Sequence, residues 1–421
     1  LESVNWSIEK PDCDIILTNP PFGTSEGDSL SLDDIPQFSV ASTKGQYLFL
    51  QKMIKSTVPG GEICSVIDEG VLNTETGKEL RRFILQFCKV RAIISLPDET
   101  FKPNKINVKS SVIYLEKREE PDLFFEDNYK VTVGYLYSLG YHGSGEKIRG
   151  FEKDLFFHEI ENILLDQTKG KSRSGYNWKA FDIDVDRIYT DRTYRLDYKY
   201  WDLDILCKIE ELTINGNLSI SELNTIDTSR GKSPSAENYV DEQDGYALVV
   251  KAGSNISKLG NIILENSDWI EKSVYDEFCE KAEEQNSNLN LIQKGDILLA
   301  STGDGTLGKC CVYELDIPAI ADGHVTIIRI DKSIIDPYYL ADYLRAGFGA
   351  IQISRLYTGS TGLIELTPDH VNSIIVNLQN KDIKKQQQIS EGLRSIEKKY
   401  ETTLKCADEL LEKAKNFLNT Y

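Results

Sequence analysis

The C-terminal stretch limits the fold more than any other part of the chain. Ile389, Leu393, Ile396, Tyr400, Leu404, Ala407, Leu411, Ala414 and Leu418 follow one another at steps of three or four residues. Such steps return to one side of a helix each time and sustain a heptad-like seam for about 30 residues. A helix of that length does not bury its seam alone. It needs a partner helix, within this chain or in a second copy; packing against its own domain is the plainer alternative. Residues 385–421 therefore read as a long coiled-coil-type helix.

Far upstream the pattern is that of an α/β domain. Asp12 to Thr18, Glu62 to Asp68, Arg91 to Leu96 and Val108 to Lys117 predict strands. Gln46 to Thr57 and Lys78 to Cys88 predict helices. Tyr47, Leu50, Ile54 and Val58 share one side of the first; Leu80, Phe83, Ile84 and Phe87 share one side of the second. Pro59-Gly60-Gly61 is expected to end the first helix. Alternating strands and helices argue for a mainly parallel sheet. Residues 24–42 read as a long polar loop of the kind that often carries function. Lys130 to Tyr137 predicts a further strand, Gly140 to Gly145 a loop and Leu155 to Gln167 a short helix. Lys169 to Gly175 is basic and flexible in composition, either a DNA contact or a solvated linker.

From about residue 185 short strands and turns take over. Asp296 to Ser301, Cys311 to Glu314 and Val325 to Ile330 predict strands, and Asp336 to Ala346 a helix with Pro337 in its first turn. Gly303 to Lys309 satisfies GxxxxGK, but Cys310 stands where a phosphate-binding loop needs Ser or Thr. Cys310 to Tyr313 reads as a strand, whereas such a loop must open a helix. This is a glycine-rich turn between strands.

The chemistry concentrates in Asn19-Pro20-Pro21-Phe22, which follows the apolar run Ile15-Ile16-Leu17. We read this as a buried strand delivering a stiff loop, because two prolines fix φ and offer no N–H. An exocyclic adenine amine is a poor nucleophile while its lone pair is delocalised into the ring. The Asn19 side-chain oxygen and the Pro20 carbonyl are suited to accept its two N–H bonds and free that lone pair. Phe22 offers a face on which an extruded base stacks. The bland alternative is a proline turn closing a strand.

Bulk properties narrow the partners. A chain of 421 residues with 40% hydrophobic content holds two or three domains. No apolar run reaches the roughly 18 residues of a membrane span, and the first eighteen residues do not read as a signal peptide. Eight cysteines without a CxxC pair and four histidines argue against a zinc site. No metal is expected, and the thiols suit a reducing, cytoplasmic setting. The net charge of −19 is uneven: residues 201–350 carry 12 basic and 26 acidic side chains. If this region grips DNA, its basic residues must cluster on one face. Arg230, Lys232, Lys309 and Arg355, all beside glycine- or serine-rich turns, are the candidate DNA contacts, with ordinary surface charge as the alternative.

Asp14 to Gly23 resembles the catalytic segment of N6-adenine DNA methyltransferases, more narrowly the modification subunit of type I restriction-modification systems. Val58 to Leu72, Ala92 to Pro97 with Phe101, and Val108 to Lys117 resemble that family's next turn, strands and closing hairpin, in order. The second half resembles the specificity subunit of the same systems. That likeness lies in Arg195-Leu-Asp-Tyr-Lys-Tyr200, Leu291 to Lys309, Tyr357-Thr-Gly-Ser360, Leu366-Thr-Pro368 and Lys385 to Ile389. The resemblance implies a partial Rossmann-like methyltransferase sheet over residues 1–184. An α+β target-recognition domain over 185–384 and a spacer or dimerisation helix over 385–421 would follow. It implies S-adenosylmethionine as cofactor and double-stranded DNA with a flipped adenine as substrate. It carries catalytic roles to Asn19, Pro20, Pro21 and Phe22. It also implies pairing with a second copy or another subunit through the last helix, and a restriction subunit as a further partner.

The family's glycine-rich cofactor turn precedes its catalytic motif, yet no glycine occurs before Asn19. Gly143-Ser-Gly145, Gly303-Asp-Gly305 and Gly359 to Gly362 do not fit the turn. The expectation is a fragment that lacks the cofactor-binding half, with no cofactor residue assigned and no activity alone. A non-catalytic DNA-recognition and assembly module is the alternative, and part of a combined nuclease-methyltransferase is a third.

Overall fold

The computed structural model describes residues 6, 10–25, 28, 37–165, 172–223, 227–284, 291–360 and 362–418. Most of residues 26–36 in the polar stretch 24–42, the last two residues of the helix expected to reach Gln167, and residues 169–171 of the basic stretch lie outside these. The chain divides into two units: residues 1–207 with 358–364, and residues 208–357 with 365–421.

The first unit contains β1 (Cys13–Thr18), α1 (Gly45–Ser56), β2 (Thr57–Asp68), α2 (Glu69–Asn73), α3 (Lys78–Phe87), β3 (Cys88–Ser95), β4 (Ser110–Lys117), β5 (Lys130–Leu136), α4 (Lys153–Leu165), β6 (Arg173–Ser174), β7 (Trp178–Asp184) and α5 (Val185–Tyr189). They form one seven-stranded sheet in the order β1-β2-β4-β3-β5-β7-β6. It is mixed rather than mainly parallel. β1 runs parallel to β2 and β3 to β5, whereas β4 is antiparallel to both of its neighbours. The reason lies in the connections: β3 returns to β4 through a loop with no crossover helix, and a parallel pair would need one.

The helix stripes do what their spacing demands. Tyr47, Leu50 and Ile54 of α1 and Leu80, Phe83 and Ile84 of α3 pack on Ile63, Ile67, Ile93 and Ile113. Pro59-Gly60-Gly61 does not form the helix stop. α1 ends at Ser56, and the proline and glycines form an irregular stretch inside β2, where Cys13 pairs with Thr57 but Ile15 with Glu62. Gly60 has φ +76°, and a Cβ on Gly61 would come within 2.8 Å of the Asp14 carbonyl oxygen. The bulge needs both glycines.

β1 is not buried. It lies at the sheet edge, with Ile15 64% and Leu17 76% exposed. At the other end of the same face α4 covers the sheet, burying Phe156 with Ala92, Trp178 and Ala180. Glu159 fastens α4 by accepting from the Trp178 indole and the Tyr176 N–H, both at 2.8 Å.

The first unit also runs on past residue 184 to Cys207. Arg195 and Asp197 are buried and doubly bonded, at 2.8 and 2.7 Å. Arg81 reaches the Thr193 carbonyl at 2.7 Å and the Val71 carbonyl at 2.7 Å. The Leu196 N–H donates to the Leu72 carbonyl at 3.0 Å, which ties the Arg195–Tyr200 motif to α2. The unit is completed by a segment from far along the chain: the Asn73 amide clasps both the N–H and the carbonyl of Gly359, at 2.9 and 3.0 Å.

α6 (Leu203–Ile214) straddles the division. The second unit then contains β8 (Leu218–Ser219), β9 (Asp227–Arg230), β10 (Tyr239–Val240), β11 (Ala247–Val250), β12 (Asp268–Ile270), α7 (Lys272–Glu284), β13 (Leu291–Ile292), β14 (Ile297–Ala300), β15 (Cys310–Val312), β16 (Ala319–Ala321), β17 (Val325–Arg329), α8 (Pro337–Ala346), α9 (Phe348–Leu356), α10 (Pro368–Asn372), β18 (Ile375–Val376) and α11 (Ile383–Leu418). A five-stranded sheet, β10-β12-β11-β16-β13, and a four-stranded sheet, β15-β14-β17-β9, share a core that includes Leu248, Val250, Leu298, Ala300 and Ile327. The GxxxxGK stretch is the turn of the β14–β15 hairpin. Asp336 caps α8 by accepting from the Tyr339 N–H at 2.9 Å, with Pro337 in the first turn. The start of α11 is bound to α8: Arg345 pairs with Glu397 at 2.6 Å, and Arg394 with Asp342 at 3.1 Å. Farther along, Ile396, Tyr400, Leu404 and Leu411 are exposed.

Candidate active site

β1, β2, β3 and β5 all point the same way, so their C-terminal ends and the loops that leave them share one edge of the sheet. Ligands of open α/β sheets bind at such an edge. Asn19 to Phe22 leaves β1 there, Asp68 to Gly70 leaves β2, and Leu96 to Phe101 leaves β3.

Asn19 is exposed, and no described group bonds its amide; Pro20 is buried beside it. Phe22 is half-buried against Phe101, with ring centroids 5.2 Å apart and planes at 58°. Gly23 has φ +66° and turns the chain away. The Gly45 N–H, the first of α1, donates to the Thr24 carbonyl at 2.9 Å. The arrangement offers one exposed amide, that of Asn19, beside an aromatic corner, which suits a flat, amine-bearing heterocycle.

Sequence reasoning assigned no role to Gln46 and none beyond a loop position to Phe101. The signal for Gln46 was present: it falls on the α1 stripe with Leu50 and Ile54, so a polar group faces the core. Phe101 carried no comparable signal, since its pairing with Phe22 depends on two loops meeting in space.

Charge behind this edge is buried. Burial pushes the Glu69 carboxyl above its usual range against the pull of Lys109, and Ser111 donates to it. Burial also brings the Lys199 ammonium down to about 7 against the attraction of Asp197, and lowers Arg81 to about 10.

Of the expected DNA contacts, Arg230 and Lys232 line one polar cavity of about 490 Å³ with Lys281, Ser233 and Asn238. Lys309 and Arg355 do not line it. Arg230 is held within the fold, donating to the Leu366 carbonyl at 2.5 Å and pairing with Glu365 at 3.2 Å. Lys232 is exposed. Lys309 is half-buried, 3.5 Å from the Gly253 carbonyl, and Arg355 is half-buried on α9.

Among the described residues no cluster of His, Cys, Asp or Glu is placed to hold a metal, and no helix is long and apolar enough to cross a membrane. The glycine pairs do not fit a cofactor cradle. Gly143-Ser-Gly145 lies within a small hairpin closed by the Tyr141–Lys147 bridge, Gly303 and Gly305 lie in the β14–β15 turn, and Gly359 follows a helix. None makes the tight strand-to-helix turn that binding a nucleotide-like group at a helix start requires.

Residues 2–185 match the family model described as N-6 DNA Methylase. That is less than half of the chain. The methylase subunit of the type I restriction enzyme StySPI from Salmonella potsdam is 31% identical over 108 residues, 25% of this chain and 19% of that protein. The corresponding EcoKI subunit from Escherichia coli K12 is 30% identical over 108 residues, with the same shares. The chain thus spans about a fifth of the length of these relatives. These sequence matches are to N6-adenine DNA methyltransferases, and the family match lies in the first half of the chain. Among solved structures, the type IIL restriction-modification enzyme MmeI in complex with DNA is 11% identical, covering 93% of this chain and 50% of that one, with TM-score 0.44. The EcoKI M protein is 19% identical, covering 44% and 43%, with TM-score 0.34. At these scores the structural likenesses add nothing to the sequence matches.

Proposed function

We propose that this chain is the catalytic-loop and recognition part of a site-specific DNA methyltransferase of a restriction-modification system. The reaction is S-adenosylmethionine-dependent methylation of adenine N6. The exposed Asn19 amide at the strand-end edge, beside the Phe22–Phe101 corner, carries the reading. Asn19 Oδ1 and the Pro20 carbonyl accept the two N–H bonds of a flipped adenine, and the aromatic corner packs against the base. The amine attacks directly, so catalysis is positioning plus acceptors matched to positive charge developing on nitrogen.

The cofactor-binding half comes from outside the described residues. The open β1 edge and the exposed Ile15 and Leu17 support this: they flank a groove of about 470 Å³ lined also by Cys64, Val112 and Tyr114. The second unit selects the DNA sequence, with Lys232 the best-exposed of the proposed contacts and Arg230, Lys309 and Arg355 in supporting positions. The exposed seam of α11 pairs with a second copy or another subunit, and a restriction subunit is a further partner.

The test is Asn19→Ala in the intact protein with its partner subunits. Mapping N6-methyladenine in host DNA should show methylation reduced about a thousandfold, with DNA affinity retained. Wild-type methylation by Asn19→Ala would refute the catalytic role. Replacing Leu404 and Leu411 by Glu should leave the chain monomeric in sedimentation; unchanged association would remove α11 from the interface.

A further inference from the structure

The Asn19–Phe22 loop has a structural difficulty built into its sequence. The β1–β2 ladder ends at Thr18 and Ser65, and the two prolines that follow have no N–H. The loop therefore has few donors of its own with which to tie itself to the sheet, yet its acceptors must point in a fixed direction.

Gln46 supplies what the prolines lack. It is 6% exposed and lies in the first turn of α1. Its Oε1 accepts from the Asp68 N–H at 2.9 Å, at the end of β2. Because that N–H can only donate, the amide orientation is fixed, and Nε2 faces the Pro21 carbonyl at 3.5 Å. One side chain thus spans from the end of β2 to the loop leaving β1. The longer bond is of the kind that tightens when substrate arrives.

We propose that Gln46 is a positioning residue for methyl transfer: its amide holds the Pro21 carbonyl and so fixes where the Asn19 and Pro20 acceptors point. The inference rests on the catalytic reading of Asn19 to Phe22. Gln46 touches neither adenine nor cofactor; it acts through the loop.

Gln46→Glu separates this role from plain packing. A carboxylate still accepts from the Asp68 N–H but cannot donate to Pro21; a protonated carboxyl can do both. In the intact protein, Q46E should lower kcat about tenfold or more at pH 8, with KM for DNA nearly unchanged. Burial at this position raises the carboxyl above its ordinary value of about 4.3, so the deficit relative to wild type should shrink as pH falls to about 5.5 and the carboxyl takes up a proton. Gln46→Met, which keeps the length and loses both bonds, should show a kcat deficit that pH does not repair. Wild-type kcat in Q46E, or a Q46E deficit that pH does not change, overturns the proposal. If Q46E does not fold, Q46M decides: a kcat deficit with KM retained supports it, and wild-type kcat overturns it. Asn19→Ala run in parallel distinguishes the two levels. An inactive Asn19→Ala beside a normal Q46E removes only Gln46, whereas an active Asn19→Ala removes the catalytic reading itself.

Discussion

The two ends of one sheet face in the first unit are built differently. Toward β7, α4 lies across the strands and buries Phe156 and Trp178; toward β1, Ile15 and Leu17 stand open beside the loop that carries Asn19. Both ends use the same kind of apolar strand. What differs is whether the described chain provides a cover. The closed end holds the unit together, and the open end carries the chemistry proposed above. The second unit repeats the contrast on a smaller scale, with Arg230 drawn into the fold and Lys232 left in solvent.

If the closed end is a true core, Phe156→Ala should destabilise the first unit by about 4 kcal/mol, the usual cost of deleting a buried ring. Urea unfolding followed by tryptophan fluorescence measures this, and a loss below about 1 kcal/mol would erase the distinction between the ends. In the second unit, Arg230→Ala should cost about 2 kcal/mol, because a half-buried guanidinium and its acceptors lose their bonds. Lys232→Ala should leave the melting point in place and reduce the salt dependence of DNA binding by roughly one phosphate contact. Equal effects of the two substitutions on folding would break the contrast. At the open end, Leu17→Gln should change the stability of this chain by no more than about 0.5 kcal/mol. The same substitution should cost about 2 kcal/mol wherever another segment covers the face.

The smallest effect concerns pH. Tyr114 lines the open groove, and burial, together with its bond to Glu62 at 2.6 Å, pushes its phenol up to about 12. A group whose folded pKa is raised contributes stability that is complete below its unfolded value of about 10 and fades as pH climbs through 12. Tyr114→Phe should therefore flatten part of the alkaline loss in that window. An identical alkaline profile in the variant would show that the phenol is not held this way.

The elements that repeat regularly were legible in sequence. α1, α3 and α11 follow from apolar residues at helical steps, α8 from Pro337 in its first turn, and the β14–β15 turn from glycines between two apolar runs. The stiffness of the Asn19 to Phe22 loop was legible because two successive prolines fix φ and offer no N–H. The place of β1 was not legible: Ile15-Ile16-Leu17 is as apolar as any core strand, and edge or centre depends on which strands pair. Nor was the destination of Arg195 to Tyr200, whose charged and aromatic residues look like surface until Arg195 and Asp197 neutralise each other in the interior.

The sequence by itself determined the local order: which segments coil or extend, where the chain turns, and where two prolines stiffen a loop. These follow from side-chain spacing and backbone freedom, which act over a few residues. Only the tertiary structure decided that the sheet is mixed, that Phe101 meets Phe22, that Gln46 ties β2 to the prolines, and that Gly359 returns to Asn73. Those are contacts between residues far apart in the chain, and no local preference encodes them.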